Sequence, residues 1–201
     1  VYNEPYVQPA APENVDVEGI LKGMHLYSAT ENSRAQVLAS GVAVQWAMQA
    51  QEILRDEWGV NVDVWSVTSW NELRRDGLHA DRHNLLHPND AHAKAYVTRR
   101  LEGRPGPVIA VSDWMRAVQE QIREWVPSDF AALGTDGWGM SDTRGALRRH
   151  FLVDAQSIVV QVLTSLAKRG EFEQHRLQEA VDRYQLKDAS AADAGNTEGS
   201  G

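Results

Sequence analysis

Four short apolar runs, spaced by helix-length stretches, constrain this chain more than any other feature. They are residues 35–41 (AQVLASG), 60–67 (VNVDVWSV), 107–111 (PVIAV) and 130–134 (FAALG). Each is strand-sized and bounded by turn residues, and 60–67 shows a clean period of two with β-branched side chains. Between the first two, Ala43, Trp46, Ala47, Ala50, Ile53 and Leu54 recur at spacings of three and four, the stripe of an amphipathic helix over 42–58 with Gly59 as its C-terminal cap. Helices are also expected over 115–125, over 143–151 with Asp142 as N-cap, over 155–168 and over 173–184. Residues 78–101 are polar and His-rich and read as broken helix. Strands alternating with helices imply βαβ units and right-handed crossovers. The expected fold is therefore α/β: three layers, with a mainly parallel twisted sheet flanked by helices.

The ends read differently. Residues 1–16 hold three prolines and no period, so residues 1–27 are expected to be an extended arm or interdomain linker. Residues 188–201 (DASAADAGNTEGSG) are small and polar and read as a disordered tail, which leaves 28–187 as the domain. The opening also lacks an initiator Met and a signal peptide, and a fragment of a longer chain is the natural reading.

Composition removes several function classes. The 201 residues include no Cys, so disulfides, thiolate metal sites and a Cys nucleophile are excluded. The net charge is −8, and the basic residues occur as scattered pairs such as Arg74-Arg75 and Arg148-Arg149, which does not suit nucleic acid. No run of about 18 apolar residues suggests a membrane span. A cytoplasmic location is expected.

Three elements could carry chemistry, and each has a plainer reading. His79, His83 and His87 lie four apart, so one helix would stack them, with Asp81 and His92 nearby. The H-E-x-x-H spacing is absent and Pro88 stops the helix, which favours a solvated surface segment. Gly134, Gly137 and Gly139 follow a strand and precede a helix, as in a phosphate-binding turn. They match neither G-x-G-x-x-G nor the Walker pattern, so a tight structural corner is the better reading. Ser66 and Ser69 sit where a strand runs into a helix, but no nucleophile elbow surrounds them. Ser69 with Glu72 reads as a capping box. Of the seven tryptophans, most are expected in the core and a subset as interface anchors.

Several stretches together resemble one family. Asp63-Val64-Trp65-Ser66-Val67-Thr68-Ser69-Trp70, with Glu72-Leu73 and Arg75-Asp76-Gly77, is similar to the D-V-[YW]-S-V-T-S-[FW]-x-E-L-x-R-D-G motif of the homodimeric pyruvate dehydrogenase decarboxylases. Asn84-Leu85-Leu86-His87-Pro88 resembles its N-x-L-H-P. Residues 133–155, with Thr135, Asp136, Trp138, Asp142, Arg144 and His150, resemble its L-G-T-D-G-[FW]-G-x-S-D-x-R-x-x-L-R-x-[HF]-F-x-V-D-A. The resemblance runs in order from about residue 1 to 186, and the small-residue tail is similar to those of actinobacterial members.

The resemblance implies a transketolase-type C-terminal domain with one antiparallel strand in its sheet. It also implies a parent that binds thiamine diphosphate and Mg²⁺ at the interface of a homodimer. That parent decarboxylates pyruvate and reductively acetylates the lipoyl group of the dihydrolipoyl acyltransferase component. The family's Gly-Asp-Gly metal motif and its cofactor-activating glutamate are absent from this sequence. No catalytic, cofactor-binding or metal residue is therefore assigned here. Thr68, Trp70, Glu72, His87, Thr135, Asp136, Trp138, Asp142, Arg144 and His150 are carried over as structural or interface positions only. The expected partners are the remainder of the parent chain, its homodimer mate and the acyltransferase. Apolar side chains beyond the core's needs, Trp and Met included, are expected to cluster on one face for dimer assembly. The alternatives are a partner-docking or regulatory module with an acidic surface, and an independent small enzyme built on the 134–144 loop.

Overall fold

The computed structural model describes residues 15–194. Its centre is a five-stranded sheet of β1 (Met24–Ser28), β2 (Gln36–Ala39), β3 (Asp63–Val67), β4 (Val108–Val111) and β5 (Phe130–Leu133), in the order β1-β3-β2-β4-β5. β1 runs antiparallel to β3, and every other pair is parallel. Register is set by burial on both faces: Val37 lies opposite Val64 on one side and Ile109 on the other.

Two cores cover the two faces. On the first, Val37, Ala39, Val64, Ile109 and Val111 pack against α2 (Ala43–Trp58) and α7 (Ala155–Lys168) through Ala50, Leu54, Ile158, Val162 and Leu166. The short helix α8 (Arg176–Arg183) adds Ala180. On the second, Leu38, Trp65, Val67 and Ala110 meet α3 (Trp70–Leu86) and α4 (Tyr96–Leu101) through Leu73, Val97 and Leu101. Adjacent residues of one strand, such as Val37 and Leu38, thus feed opposite cores, as a period of two requires. The expected three-layer α/β fold is present.

Several sequence expectations change. Residues 17–27 are not an extended arm: Val17–Lys22 is a helix, α1, capped by Asp16, and β1 follows directly. The sheet edge supplies the reason, because β3 offers an unpaired ladder that Met24–Ser28 completes. Residues 1–14 and 195–201, which hold most of the expected arm and tail, lie outside the described residues. The helix α9 (Ala191–Ala194) stands within the segment expected as tail. Residues 78–101 are broken helix as expected: α3 runs to Leu86, residues 87–95 are not helical, and α4 begins at Tyr96. Unexpected is the early start of α3 at Trp70, where Trp70, Leu73, Gly77 and Ala80 give it a buried stripe. It ends just before Pro88, as proline demands. The expected 115–125 helix is shorter, α5 (Arg116–Glu120) followed by a 3₁₀ turn at Arg123–Trp125. The cap of α6 (Arg144–His150) is Thr143, whose hydroxyl accepts from the Ala146 N–H at 3.2 Å, while Asp142 accepts from the Thr143 N–H at 2.8 Å. Gly59 does cap α2, at φ 63°, with its N–H bonded to the Leu54 carbonyl.

Residues 144–168 are the one stretch, among those described, with the length and hydropathy of a membrane span. They form two helices, α6 and α7, and the apolar face of α7 lies in the first core.

Candidate functional site

The connections place a crevice at the carboxyl ends of the strands. After β2 the chain enters α2 on the first face, and after its neighbour β4 it enters α5 on the second face. Two adjacent parallel strands whose exits diverge leave a gap at their carboxyl ends, the usual ligand position in open α/β sheets. Here the gap is a cleft of about 730 Å³. Its floor includes Trp46, Leu147, Phe151 and Val153, and its polar wall includes Gln45, Asp113, Thr135, Arg144 and Arg148. The Arg148 guanidinium lies over the Trp46 ring, 4.9 Å from its centroid.

Next to the cleft, two loops are laced together. The Thr135 N–H donates to the Trp114 carbonyl at 2.9 Å, and its hydroxyl donates to the Asp113 carbonyl at 2.7 Å. Asp136 accepts from the Arg116 N–H at 2.9 Å and pairs with its guanidinium at 2.5 Å. The Arg116 guanidinium first, and the Arg116 backbone N–H second, hold the Asp136 carboxyl below the usual carboxylate range. Gly134 lets the loops approach: a Cβ there would stand 2.5 Å from the Trp114 carbonyl oxygen and 2.8 Å from the Arg116 nitrogen. The corner reading of the glycines is therefore correct at Gly134. The laced loops present Trp114, Met115, Trp138 and Met140 to solvent, with Trp138 92% exposed. Four of the other tryptophans, Trp46, Trp58, Trp65 and Trp70, are buried, and Trp125 is half-buried.

The remaining carried-over residues lie elsewhere. The Thr68 hydroxyl donates to the Ile20 carbonyl at 2.7 Å, and the Thr68 and Ser69 N–H groups both donate to the Gly23 carbonyl. Together they fasten α1 and the start of β1 to the end of β3. The Trp70 indole donates to the Ser40 hydroxyl at 2.9 Å, which ties α3 to the end of β2. Glu72 gives its N–H to the Ser69 hydroxyl, but its carboxylate pairs with Arg75. Only half of the expected capping box forms, because the Ser69 N–H is already bonded to Gly23. His150 ends α6, edge-on to Phe151 with ring centroids 5.0 Å apart.

His87 sits at the C-terminal end of α3, its ring 4.8 Å from that of His83, and both approach Asp90 at 3.9 and 4.0 Å. His92 is drawn away to Asn84, at 3.2 Å. Among the described residues no group of three or more His, Asp or Glu side chains is arranged to hold a metal.

Sequence reasoning missed the crevice itself. Its lining comes from 42–49, 113, 135, 144–156 and 191–192, segments that only the strand order brings together. The stacking of Arg148 over Trp46 was not visible in the sequence either.

Comparison with known proteins matches this geometry to a family. Residues 23–154 match the family described as the transketolase-like TK C-terminal domain. The pyruvate dehydrogenase E1 component of Mycolicibacterium smegmatis is 53% identical over 195 residues, 96% of this chain and 21% of that protein. The Mycobacterium tuberculosis protein of the same name is 54% identical over the same shares, and the Escherichia coli K12 protein is 41% identical over 92% of this chain. The chain thus spans about a fifth of the length of these curated relatives. Among solved structures, transketolase from Leishmania mexicana aligns with a TM-score of 0.51 at 20% identity over 78% of this chain and 20% of its own. Transketolase from Campylobacter jejuni aligns at 0.52, with 20% identity over 76% of this chain and 20% of its own. At that identity the likeness is one of fold. The chain belongs to the transketolase-like C-terminal domain family.

Proposed function

We propose that this chain is the C-terminal domain of a pyruvate dehydrogenase decarboxylase component, and that it serves the assembly of that enzyme, not its chemistry. The observation that carries the first half is the match of 96% of the chain, at 53% identity, to a protein of that name. On this reading the parent works in the cytoplasm. It decarboxylates pyruvate with thiamine diphosphate and Mg²⁺ and passes the acetyl group to the lipoyl group of its acyltransferase partner.

The described residues do not fit that cofactor. No cluster of three acidic or imidazole ligands exists among them to hold Mg²⁺. On this reading the steps of the reaction belong to the rest of the parent chain. What supports the assembly role is the exposure of Trp114, Met115, Trp138 and Met140 on and just beyond the laced pair of loops. Aromatic and Met side chains are enriched in interface cores. A cofactor site between subunits tolerates little movement, since a displacement of about 1 Å can cost about 100-fold in rate.

Sedimentation velocity of the parent enzyme with and without this domain tests the role. The truncated enzyme is expected to dissociate at concentrations where the complete one stays dimeric. An unchanged dimer would remove the assembly role. Pyruvate decarboxylation by the 201-residue chain alone, supplied with thiamine diphosphate and Mg²⁺, would overturn the division of labour.

A further inference from the structure

The solvent face of α3 carries two seven-residue repeats. Leu78 and Leu85 stand seven apart, as do Arg75 and Arg82, so Arg75, Leu78, Arg82 and Leu85 run along one stripe at spacings of three, four and three. The opposite side of the helix is the buried stripe of Trp70, Leu73, Gly77 and Ala80. Leu78, Leu85 and Leu86 are all exposed, Leu85 to 79%. One exposed leucine is ordinary, but three on the outer face of one helix form an apolar patch.

Charge on this helix is sorted. Its three carboxylates are engaged by the chain itself: Glu72 pairs with Arg75, Asp76 accepts from the Tyr96 N–H, and Asp81 accepts from the Trp125 indole at 3.0 Å. Of its three arginines Arg75 is paired, while Arg74 and Arg82 have no partner among the described residues. Arg74, Leu78 and Arg82 follow one another at intervals of four, which sets the two guanidiniums beside the leucines. On a chain whose net charge is −8, this face is a basic, leucine-bearing strip.

That pattern is one half of a helix pair. Apolar side chains at seven-residue spacing, with charges beside them, select a partner helix whose flanking charges have the opposite sign. We propose that the solvent face of α3 docks an acidic amphipathic helix belonging to the rest of the parent chain. Length argues for that source: the chain spans about a fifth of its curated relatives, so most of such a parent lies outside it and supplies surfaces for it to pack on. The proposal rests on the reading of this chain as one domain of that parent. It concerns a different face from the Trp114 and Trp138 loops assigned to the dimer mate.

The chain contains no Cys, so Leu85→Cys introduces a thiol that is unique within it. Its alkylation by iodoacetamide is followed by mass spectrometry of that peptide, in the 201-residue chain and in the parent enzyme. Labelling in the parent is expected to be at least about tenfold slower, because a docked thiol reacts only when the contact opens. Adding Arg82→Glu should restore the rate to within about threefold of that in the 201-residue chain, whereas Arg82→Lys should keep the protection. A photoactivatable cross-linker on the same thiol should mark an acidic helix of the same polypeptide and leave the monomer mass unchanged on a denaturing gel. Should Leu85→Cys impair folding of the parent, Leu86→Cys gives the same comparison. Equal labelling in chain and parent overturns the proposal. So does protection indifferent to Arg82→Glu, or a cross-linked band of twice the monomer mass, which assigns the face to a second copy. Pyruvate decarboxylation by the same preparations separates the docking from the reading beneath it. An active parent with an open thiol sinks the docking alone, and a protected thiol in a parent that leaves pyruvate untouched sinks the reading alone.

Discussion

Arg149 and Asp154 form a buried ion pair, Nε to Oδ2 at 2.5 Å, with the Arg149 side chain only 4% exposed. The same arginine donates to the Tyr184 carbonyl at 2.7 Å, and the same aspartate accepts from the Ser157 N–H at 2.9 Å as the N-cap of α7. One pair therefore fastens α6, α7 and the end of α8. Removing the arginine strands a buried carboxylate, so Arg149→Leu is expected to cost about 3–5 kcal/mol in urea unfolding. Asp154→Asn retains an acceptor for the cap and should cost less than Asp154→Ala, which loses about 1 kcal/mol more through the cap. Equal losses from the two aspartate variants would contradict the double role.

The Trp58 indole donates to the Tyr184 hydroxyl at 2.7 Å, and that hydroxyl donates to Glu57 at 2.8 Å. Burial, with the Glu57 carboxylate adding to it, pushes the Tyr184 hydroxyl up to about 12 from 10.0, against the opposing pull of the Trp58 donor. The folded state thus keeps a proton that the unfolded state releases first. The stabilisation is fully present below pH 10.0 and disappears as pH climbs through about 12. Absorbance titration of tyrosinate should show late ionisation from Tyr184 and Tyr96, both raised first of all by burial, and Tyr184→Phe should remove the Tyr184 share of it.

Asp136 behaves in the opposite sense. With its folded pKa held below 3.8, its contribution is present above that value and fades as pH falls through the depressed one. Carboxyl carbon shifts followed by NMR should place its midpoint below those of unpaired aspartates. Arg116→Gln should return it toward 3.8.

Gly134→Ala and Gly139→Ala separate a packed corner from an open loop. At Gly134 the added Cβ meets backbone atoms at 2.5 and 2.8 Å, which cannot rotate away, whereas at Gly139 nothing lies within 4 Å. The first substitution is expected to cost about 1–3 kcal/mol, and the second to fall within about 0.5 kcal/mol of zero. Thermal unfolding of the two variants, measured side by side, decides the matter.

Trp138 is 92% exposed, so Trp138→Ser should shift the stability of the 201-residue chain by no more than about 0.5 kcal/mol. In the parent enzyme the same change is expected to weaken the dimer about tenfold or more, as loss of a central interface tryptophan does. A parent dimer indifferent to both Trp138→Ser and Met140→Ser would exclude this face from assembly.

Much of the architecture was legible in single residues. Val37, Val64, Ile109 and their neighbours had to be buried on both faces, and runs of that kind only fit central parallel strands. Ala43, Trp46, Ala50 and Leu54 announced α2, and Gly59 its end, because helix periodicity and the left-handed cap are local properties. β1 was not legible. Met24–Ser28 is too short and too polar to stand out and becomes a strand because β3 presents an open edge and Gly23 accepts two amides from Thr68 and Ser69. The broken helix over 78–101 was legible, but the early start of α3 at Trp70 was not, because its buried stripe is only four residues, Trp70, Leu73, Gly77 and Ala80.

The candidate site divides along the same line. The amino-acid sequence by itself determined the fold class, the absence of thiolate chemistry, the glycine corner and the motif residues of the family, since each depends on neighbours in the chain. Tertiary structure alone decided that β4 pairs with β2 instead of β3, and that α2 and α6 border a crevice with Asp113 and Thr135 at the carboxyl ends of β4 and β5. It also decided that Arg148 lies over Trp46, 102 positions away in the numbering (148 against 46), and that Trp114 and Trp138 stand out in solvent while Trp65 is sealed. Those outcomes follow from strand order and long-range packing, which no local period encodes.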